Sequence, residues 1–211
     1  MAHDGHALTL AGTPLTQARA AVLLLHGRGD SARGILGLAD VLGVADIAYA
    51  APQAEGHTWY PQSFLQPFAC NEPYLSQALA AVTDALGELG KAGFDRENIV
   101  LMGFSQGACL ALESAARNAG RFGGVVAFSG GLIGPDDAPR DYPGALEQTP
   151  VFLGCSDVDM HIPKARVLAS AEIMLGLGGA VDARIYPGMG HTINEDELGA
   201  ARAILAGAKR A

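Results

Sequence analysis

The chain has 211 residues, a formal net charge of −8 and 49% hydrophobic residues, which suits one α/β domain with a substantial core, expected to run over 1–211. An acidic chain with no basic cluster is a poor partner for nucleic acid or for an anionic membrane surface. No apolar run approaches the ~18 residues that read as a membrane span.

The first stretch, MAHDGHALTLAG, has no basic start and no long apolar run, so no export signal is read in it. Cys70, Cys109 and Cys155 are odd in number and widely spaced, which argues against a disulfide framework and against zinc. The expected location is the reducing cytoplasm. His3 and His6 make a poor metal pair, and no metal or cofactor is expected.

HALTLAG (6–12) reads as an edge strand, and AAVLLLHG (20–27) as a buried one. The loop that follows, HGRGDS, spells a cell-adhesion tetrapeptide at Arg28–Ser31. Adhesion needs an exported protein, so the loop calls for another purpose. DIAYAAP (46–52) is the next strand. Trp59, Tyr60, Phe64, Leu65 and Phe68 then crowd one loop, and Trp59 and Phe64 are candidate walls of a substrate pocket. Leu75, Leu79, Val82, Leu86 and Leu89 form one apolar stripe, so 73–90 is a helix opened by Pro73.

NIVLMGFS (98–105) is a strand, and GFSQG (103–107) matches G-x-S-x-G before a helix with Ala108, Leu112 and Ala115 on its apolar face. A strand that turns abruptly into a helix crowds its neighbours, so glycine flanks the serine on both sides. Ser105 is the expected nucleophile. A tetrahedral intermediate needs two donors for its oxyanion. The backbone N–H of Gln106, next after the nucleophile, is one. The backbone N–H of Arg28, in the loop after 20–25, is the other, and the Arg28 side chain is expected to be solvated.

GGVVAFSG (123–130) and TPVFLGCS (149–156) are further strands. Leu132, after the first, is a third pocket candidate, with Ile133 beside it. No large lid insertion is visible over 130–149. After the second, Asp157 and Asp159 are both candidates for the carboxylate that orients a histidine. Asp159 stands four residues before Pro163, which opens a helix over 163–177. VDARIYPG (181–188) is the last strand, and His191 follows it directly. A hydroxyl needs a base, and His191 ends at the same sheet edge as Ser105. His26 reads as a structural imidazole bonded to backbone. Asn194 and Glu197 have cap-and-N3 spacing for a helix over 194–210, with Lys209 and Arg210 at its negative end.

Continuous apolar runs alternating with helices imply a mostly parallel sheet with helices on both faces and ligands at its carboxyl edge. The order Ser, Asp, His is that of the α/β-hydrolase fold.

LLLHGRGDS, APQA, WYP, GFSQGACLAL, SGGLIG, the Asp159–Pro163 spacing and YPGMGHTI together resemble the phospholipase/carboxylesterase family, which includes the acyl-protein thioesterases, over nearly the whole chain. The resemblance implies Ser105, Asp159 and His191 as a catalytic triad, and it is what selects Asp159 over Asp157. Two features differ from the eukaryotic thioesterases: Arg28 stands where leucine is common, and TWYPQSFLQPFACNEP (58–73) is similar to the bacterial carboxylesterase branch. The expected protein is a serine carboxylesterase acting on small, short-chain esters through an acyl-enzyme. A homodimer is compatible with the sequence. The rivals are a thioesterase or lysophospholipase on longer chains, a dienelactone hydrolase, whose nucleophile is often cysteine, and a catalytically silent ligand-binding hydrolase fold.

Overall fold

The computed structural model describes residues 7–208. Its strands are β1 (Thr9–Gly12), β2 (Ala20–Leu25), β3 (Ile47–Ala51), β4 (Ile99–Phe104), β5 (Gly124–Phe128), β6 (Pro150–Ser156) and β7 (Ala180–Tyr186). They form one seven-stranded sheet in the order β1-β3-β2-β4-β5-β6-β7. Only β1 runs antiparallel to its neighbour; every other pair is parallel. This is the α/β-hydrolase architecture.

The α-helices are α1 (Ala32–Ile35), α2 (Gly37–Leu42), α3 (Tyr74–Lys91), α4 (Gln106–Arg117), α5 (Lys164–Gly176) and α6 (Glu195–Gly207). Side chains alternate across a strand, and the two faces of β2 show it. Ala21, Leu23 and Leu25 pack into a core shared with α3, α4 and α5. Ala20, Val22 and Leu24 pack into a second core with α1, α2 and α6. Both faces are covered, so the strand is apolar at every position. Cutting a buried Leu such as Leu24 to Ala costs about 2–5 kcal/mol in settings like this.

Each run read as a strand carries one, trimmed or shifted by a few residues. The buried side of α3 is Leu75, Ala78, Val82, Ala85 and Leu89, with Leu79 and Leu86 at its margin. Pro73 stands at the N-cap rather than inside the first turn. Asn194 and Glu197 form a reciprocal capping box at the start of α6. That helix closes at Gly207; Lys209 and Arg210, like His3 and His6, lie outside the described residues.

The sequence reading missed α1 and α2. They are too short to show a period, and glycines interrupt them. The polar half of the tetrapeptide starts α1: the Ser31 hydroxyl accepts from the Gly34 N–H at 3.0 Å. The Asp30 carboxylate fills the space a Gly34 Cβ would need, 2.0 Å from its Oδ1. Arg28-Gly29-Asp30-Ser31 is therefore a loop and helix start at the carboxyl end of β2.

Candidate active site

Ser105 joins β4 to α4 with φ 55° and ψ −119°. A non-glycine residue there costs on the order of 1–3 kcal/mol, and only a surrounding structure that over-determines the turn holds it. The Ser105 N–H donates to the Phe128 carbonyl at 2.9 Å, and its carbonyl accepts from Cys109 N–H at 3.0 Å. A Cβ on Gly107 would lie 2.0 Å from the Leu25 carbonyl oxygen, and one on Gly103 would lie 2.4 Å from the Gly107 carbonyl carbon. Both glycines of the motif are thus required by backbone-to-backbone approach. The turn sets the hydroxyl at the amino end of α4, the positive end of its dipole.

His191 Nε2 lies 2.9 Å from Ser105 Oγ, and His191 Nδ1 lies 2.6 Å from Asp159 Oδ2. An ionised carboxylate only accepts, so Nδ1 carries the proton and Nε2 is free to accept from the serine hydroxyl. The second oxygen, Oδ1, accepts from the N–H groups of His161 at 2.8 Å and Ile162 at 3.0 Å. The Asp159 side chain is fully shielded, whereas that of His191 is 20% exposed. Burial alone would raise the Asp159 pKa. The hydrogen bonds from His191 and the two backbone N–H groups outweigh it and hold the carboxyl below its usual range. Asp157 serves a different purpose. Its carboxylate accepts from Gly188 N–H at 2.8 Å and secures the turn that leads to His191. Ser156 Oγ does likewise for Gly190 N–H at 3.1 Å.

The His191 ring sits against Phe104, centroids 4.8 Å apart, and meets His161 edge to face at 4.9 Å. The sequence reading assigned neither neighbour. Phe104 is the first variable position of G-x-S-x-G, which is the one signal that pointed to it.

Across Ser105 from the histidine, the Arg28 loop meets the start of α4. Among the described residues, no carbonyl of the turns and loops takes the backbone N–H of Arg28 or of Gln106. Arg28 is exposed, as the sequence suggested, but its side chain is not left to water alone. Its guanidinium donates to three successive carbonyls, those of Tyr60, Pro61 and Gln62, each at 2.9 Å. The buried His26 accepts Ala54 N–H on Nε2 at 3.1 Å, so Nδ1 donates to the Gly27 carbonyl at 2.8 Å. It is structural, as expected.

These groups open onto a cleft of about 500 Å³ lined by Arg28, Tyr60, Phe64, Phe104, Ser105, Gln106, Ile162 and His191, among others. Phe64 is a wall. Trp59 and Leu132 are not. Trp59 is fully buried with its indole N–H on the His26 carbonyl at 2.9 Å. Leu132 is fully buried, its N–H on Ser170 Oγ at 2.8 Å and its carbonyl on Arg166 at 2.8 Å. Both expectations failed for one reason: a large apolar residue near the sheet edge can face the core as readily as a cleft.

A family model described as phospholipase/carboxylesterase matches residues 12–207. The chain belongs to the phospholipase/carboxylesterase family. It is similar to the crystal structure of a phospholipase/carboxylesterase from Dyadobacter fermentans, at 42% identity and a TM-score of 0.91 over 96% of this chain and 97% of that one. It is 30% identical to acyl-protein thioesterase 1 of Saccharomyces cerevisiae over 86% of this chain and 89% of that protein. A match to acyl-protein thioesterase 1 of Gibberella zeae reaches 35% identity, but over 54% of this chain and 49% of that protein. The chain is thus an enzyme, a serine hydrolase of the esterase and thioesterase group within the α/β-hydrolase superfamily.

The two buried thiols, Cys109 and Cys155, are not set up for nucleophilic work, unlike the nucleophile expected of a dienelactone hydrolase. Burial pushes Cys109 up to about 12, against a smaller lowering by Gly131 N–H. Burial, and then the Asp159 charge, push Cys155 up to about 12. A thiol so shifted is not a thiolate at neutral pH. Among the described residues, no group of three or more His, Cys, Asp or Glu side chains is placed to hold a metal ion, and no helix is long and apolar enough to cross a membrane.

Proposed function

We propose that this member of the family is a carboxylesterase for short-chain esters, with Ser105 as nucleophile, His191 as general base and acid, and Asp159 as the ionised orienting carboxylate. The observation that carries the reading is the continuous chain of 2.9 Å and 2.6 Å contacts from Ser105 through His191 to Asp159 at the cleft. His191 Nε2 takes the hydroxyl proton as Ser105 Oγ attacks the ester carbonyl. The oxyanion turns to the N–H groups of Arg28 and Gln106, and Asp159 stabilises the imidazolium. His191 returns the proton to the departing alcohol and then activates the water that hydrolyses the acyl-enzyme. No cofactor enters these steps. The chain is read as a single domain working in the cytoplasm on a small-molecule ester.

The preference for short chains rests on the cleft. Its volume is in the lower half of the usual range for ligand pockets. Leu132, which would lengthen an acyl channel, is turned into the core instead. The relatives named acyl-protein thioesterase supply the second reading, a thioesterase on longer acyl groups.

A fluorophosphonate probe should label Ser105 alone, and Ser105→Ala should lower kcat on p-nitrophenyl acetate by about 10⁴ to 10⁶. Labelling at Cys109 or Cys155 would remove the serine mechanism. A p-nitrophenyl panel from acetate to palmitate should peak at the short end; a peak at palmitate would favour the thioesterase reading.

A further inference from the structure

The two backbone donors stand far apart in sequence, one on the loop after β2 and one on the first residue of α4. An oxyanion hole works only if its donors are held within about 0.5 Å of the productive geometry. A third segment, residues 57–62, runs between them and bonds to both. The Arg28 guanidinium reaches the Tyr60 carbonyl at 2.9 Å, and the Gln106 side-chain amide reaches the same oxygen at 2.8 Å. The Gln106 amide oxygen accepts in return from Trp59 N–H at 2.9 Å. Gly29 N–H donates to the His57 carbonyl at 2.7 Å, and His57 Nδ1 donates to the Asp30 carbonyl at 2.7 Å.

We propose that Arg28 and Gln106 are positioning residues as well as backbone donors: their side chains meet on the Tyr60 carbonyl, and that shared acceptor sets the distance between their two N–H groups. The inference rests on the serine-esterase reading above. The alternative use of Arg28, holding a carboxylate of the substrate, fits the geometry poorly. Both hydrogens of Nη2 are taken, one by Tyr60 and one by Gln62. Each paired face of a guanidinium that grips a carboxylate in two-point fashion uses that nitrogen. The guanidinium keeps its charge, but the hydrogens needed for that grip point at backbone carbonyls.

The tethers act in series, from Arg28 to Tyr60 to Gln106. Breaking either one frees the spacing, and breaking the second adds little. Arg28→Leu should therefore lower kcat on p-nitrophenyl acetate by roughly ten- to a hundredfold with KM within about threefold, because the loss falls on the charge that develops in the transition state. Arg28→Lys should recover part of the loss. Gln106→Met should behave like Arg28→Leu, and the double variant should lose scarcely more than the worse single one, where independent sites would multiply. The rate at which a fluorophosphonate labels Ser105 reads the same hole without choosing an ester, and should fall in parallel. Melting temperatures separate these effects from unfolding; if Gln106→Met does not fold, the Arg28 variants and the labelling rates decide alone. Full kcat and full labelling rate in Arg28→Leu would overturn the proposal. So would losses that multiply in the double variant, or a loss confined to an ester that carries a carboxylate. A parent protein that neither labels nor turns over would sink the serine-esterase reading and this inference with it. Normal labelling of the parent, with variants labelled just as fast, would sink this inference only.

Discussion

The two sides of Ser105 are built in different ways. On one side, Asp159 and His191 stand on loops after β6 and β7, at the open edge of the sheet, where β7 is largely exposed or half-buried. They reach the serine by side-chain contacts, 2.6 Å and then 2.9 Å. On the other side, the Arg28 loop, residues 57–62 and the start of α4 lie along the middle of the sheet. Apart from Thr58 Oγ1, which donates to Gln106 Oε1 at 3.3 Å, the hydrogen bonds described there run from side chain to backbone or from backbone to backbone. The difference teaches where substitution acts. On the proposed acid–base side the side chain would be the working part, so changing it should remove function and spare structure. On the proposed oxyanion side the main chain would offer the donors, so a side chain would act only through what it holds in place.

The largest effect should therefore come from a nearly isosteric change on the acid–base side. Asp159→Asn should lower kcat by about 10⁴ while the fold persists, because Nδ1 loses the acceptor that selects its tautomer. Asp157→Asn should cost far less, since that carboxylate only receives Gly188 N–H. Steady-state kinetics with circular dichroism on both variants would reverse the assignment if Asp157 proved the costlier.

The next effect belongs to the other side and is read in stability. Gly107→Ala puts a methyl group 2.0 Å from the Leu25 carbonyl, a backbone atom at the centre of the sheet. Overpacking of this kind costs typically about 1–3 kcal/mol or more, and the midpoint of urea denaturation should fall accordingly. An unchanged midpoint would mean that the elbow has slack and that the backbone side is softer than its close contacts imply.

The smallest effect contrasts two shielded carboxyls. Asp159 is held below its usual range, so its contribution to stability is present above the unfolded pKa and is lost as pH falls through the folded value. Glu197 runs the other way. Burial, with a lesser push from Asp196, overcomes the bond from Asn194 N–H and lifts it to about 7. Its folded form binds a proton more tightly than the unfolded chain, so stability falls as pH rises from the ordinary carboxylate range to about 7. Glu197→Gln keeps an acceptor for Asn194 N–H and removes the titration. It should raise the melting temperature at pH 8, by on the order of 1–3 kcal/mol in free energy, and raise it much less at pH 5. An equal shift at both values would show that Glu197 is not protonated in the fold.

Much of this molecule follows from local rules that act on the chain order. Doubly covered strands are apolar at each position, so β2 through β6 stand out as continuous runs. A glycine pair around a serine marks a turn with no room for side chains, and Asn194 with Glu197 marks a helix start. These features depend on neighbours a few residues away, and the one-dimensional order contains them. The nearness of Ser105, His191 and Asp159 follows one step later, because parallel strands deliver their following loops to one edge. The sense of individual side chains depends on partners far along the chain, and there only the tertiary structure decided. Trp59 and Phe64 are both large and apolar in one loop, yet Trp59 points to the His26 carbonyl in the core and Phe64 to the cleft. Arg28 is a basic residue in a polar loop, and nothing nearby forecasts a grip on carbonyls 32 to 34 positions onward. Hydrogen-bond acceptors on the backbone carry no residue identity, so a side chain that bonds to them leaves no mark in the sequence at the far end. The spelling at Arg28–Ser31 has its meaning from the fold, where one residue grips a loop, one turns the chain and two begin a helix.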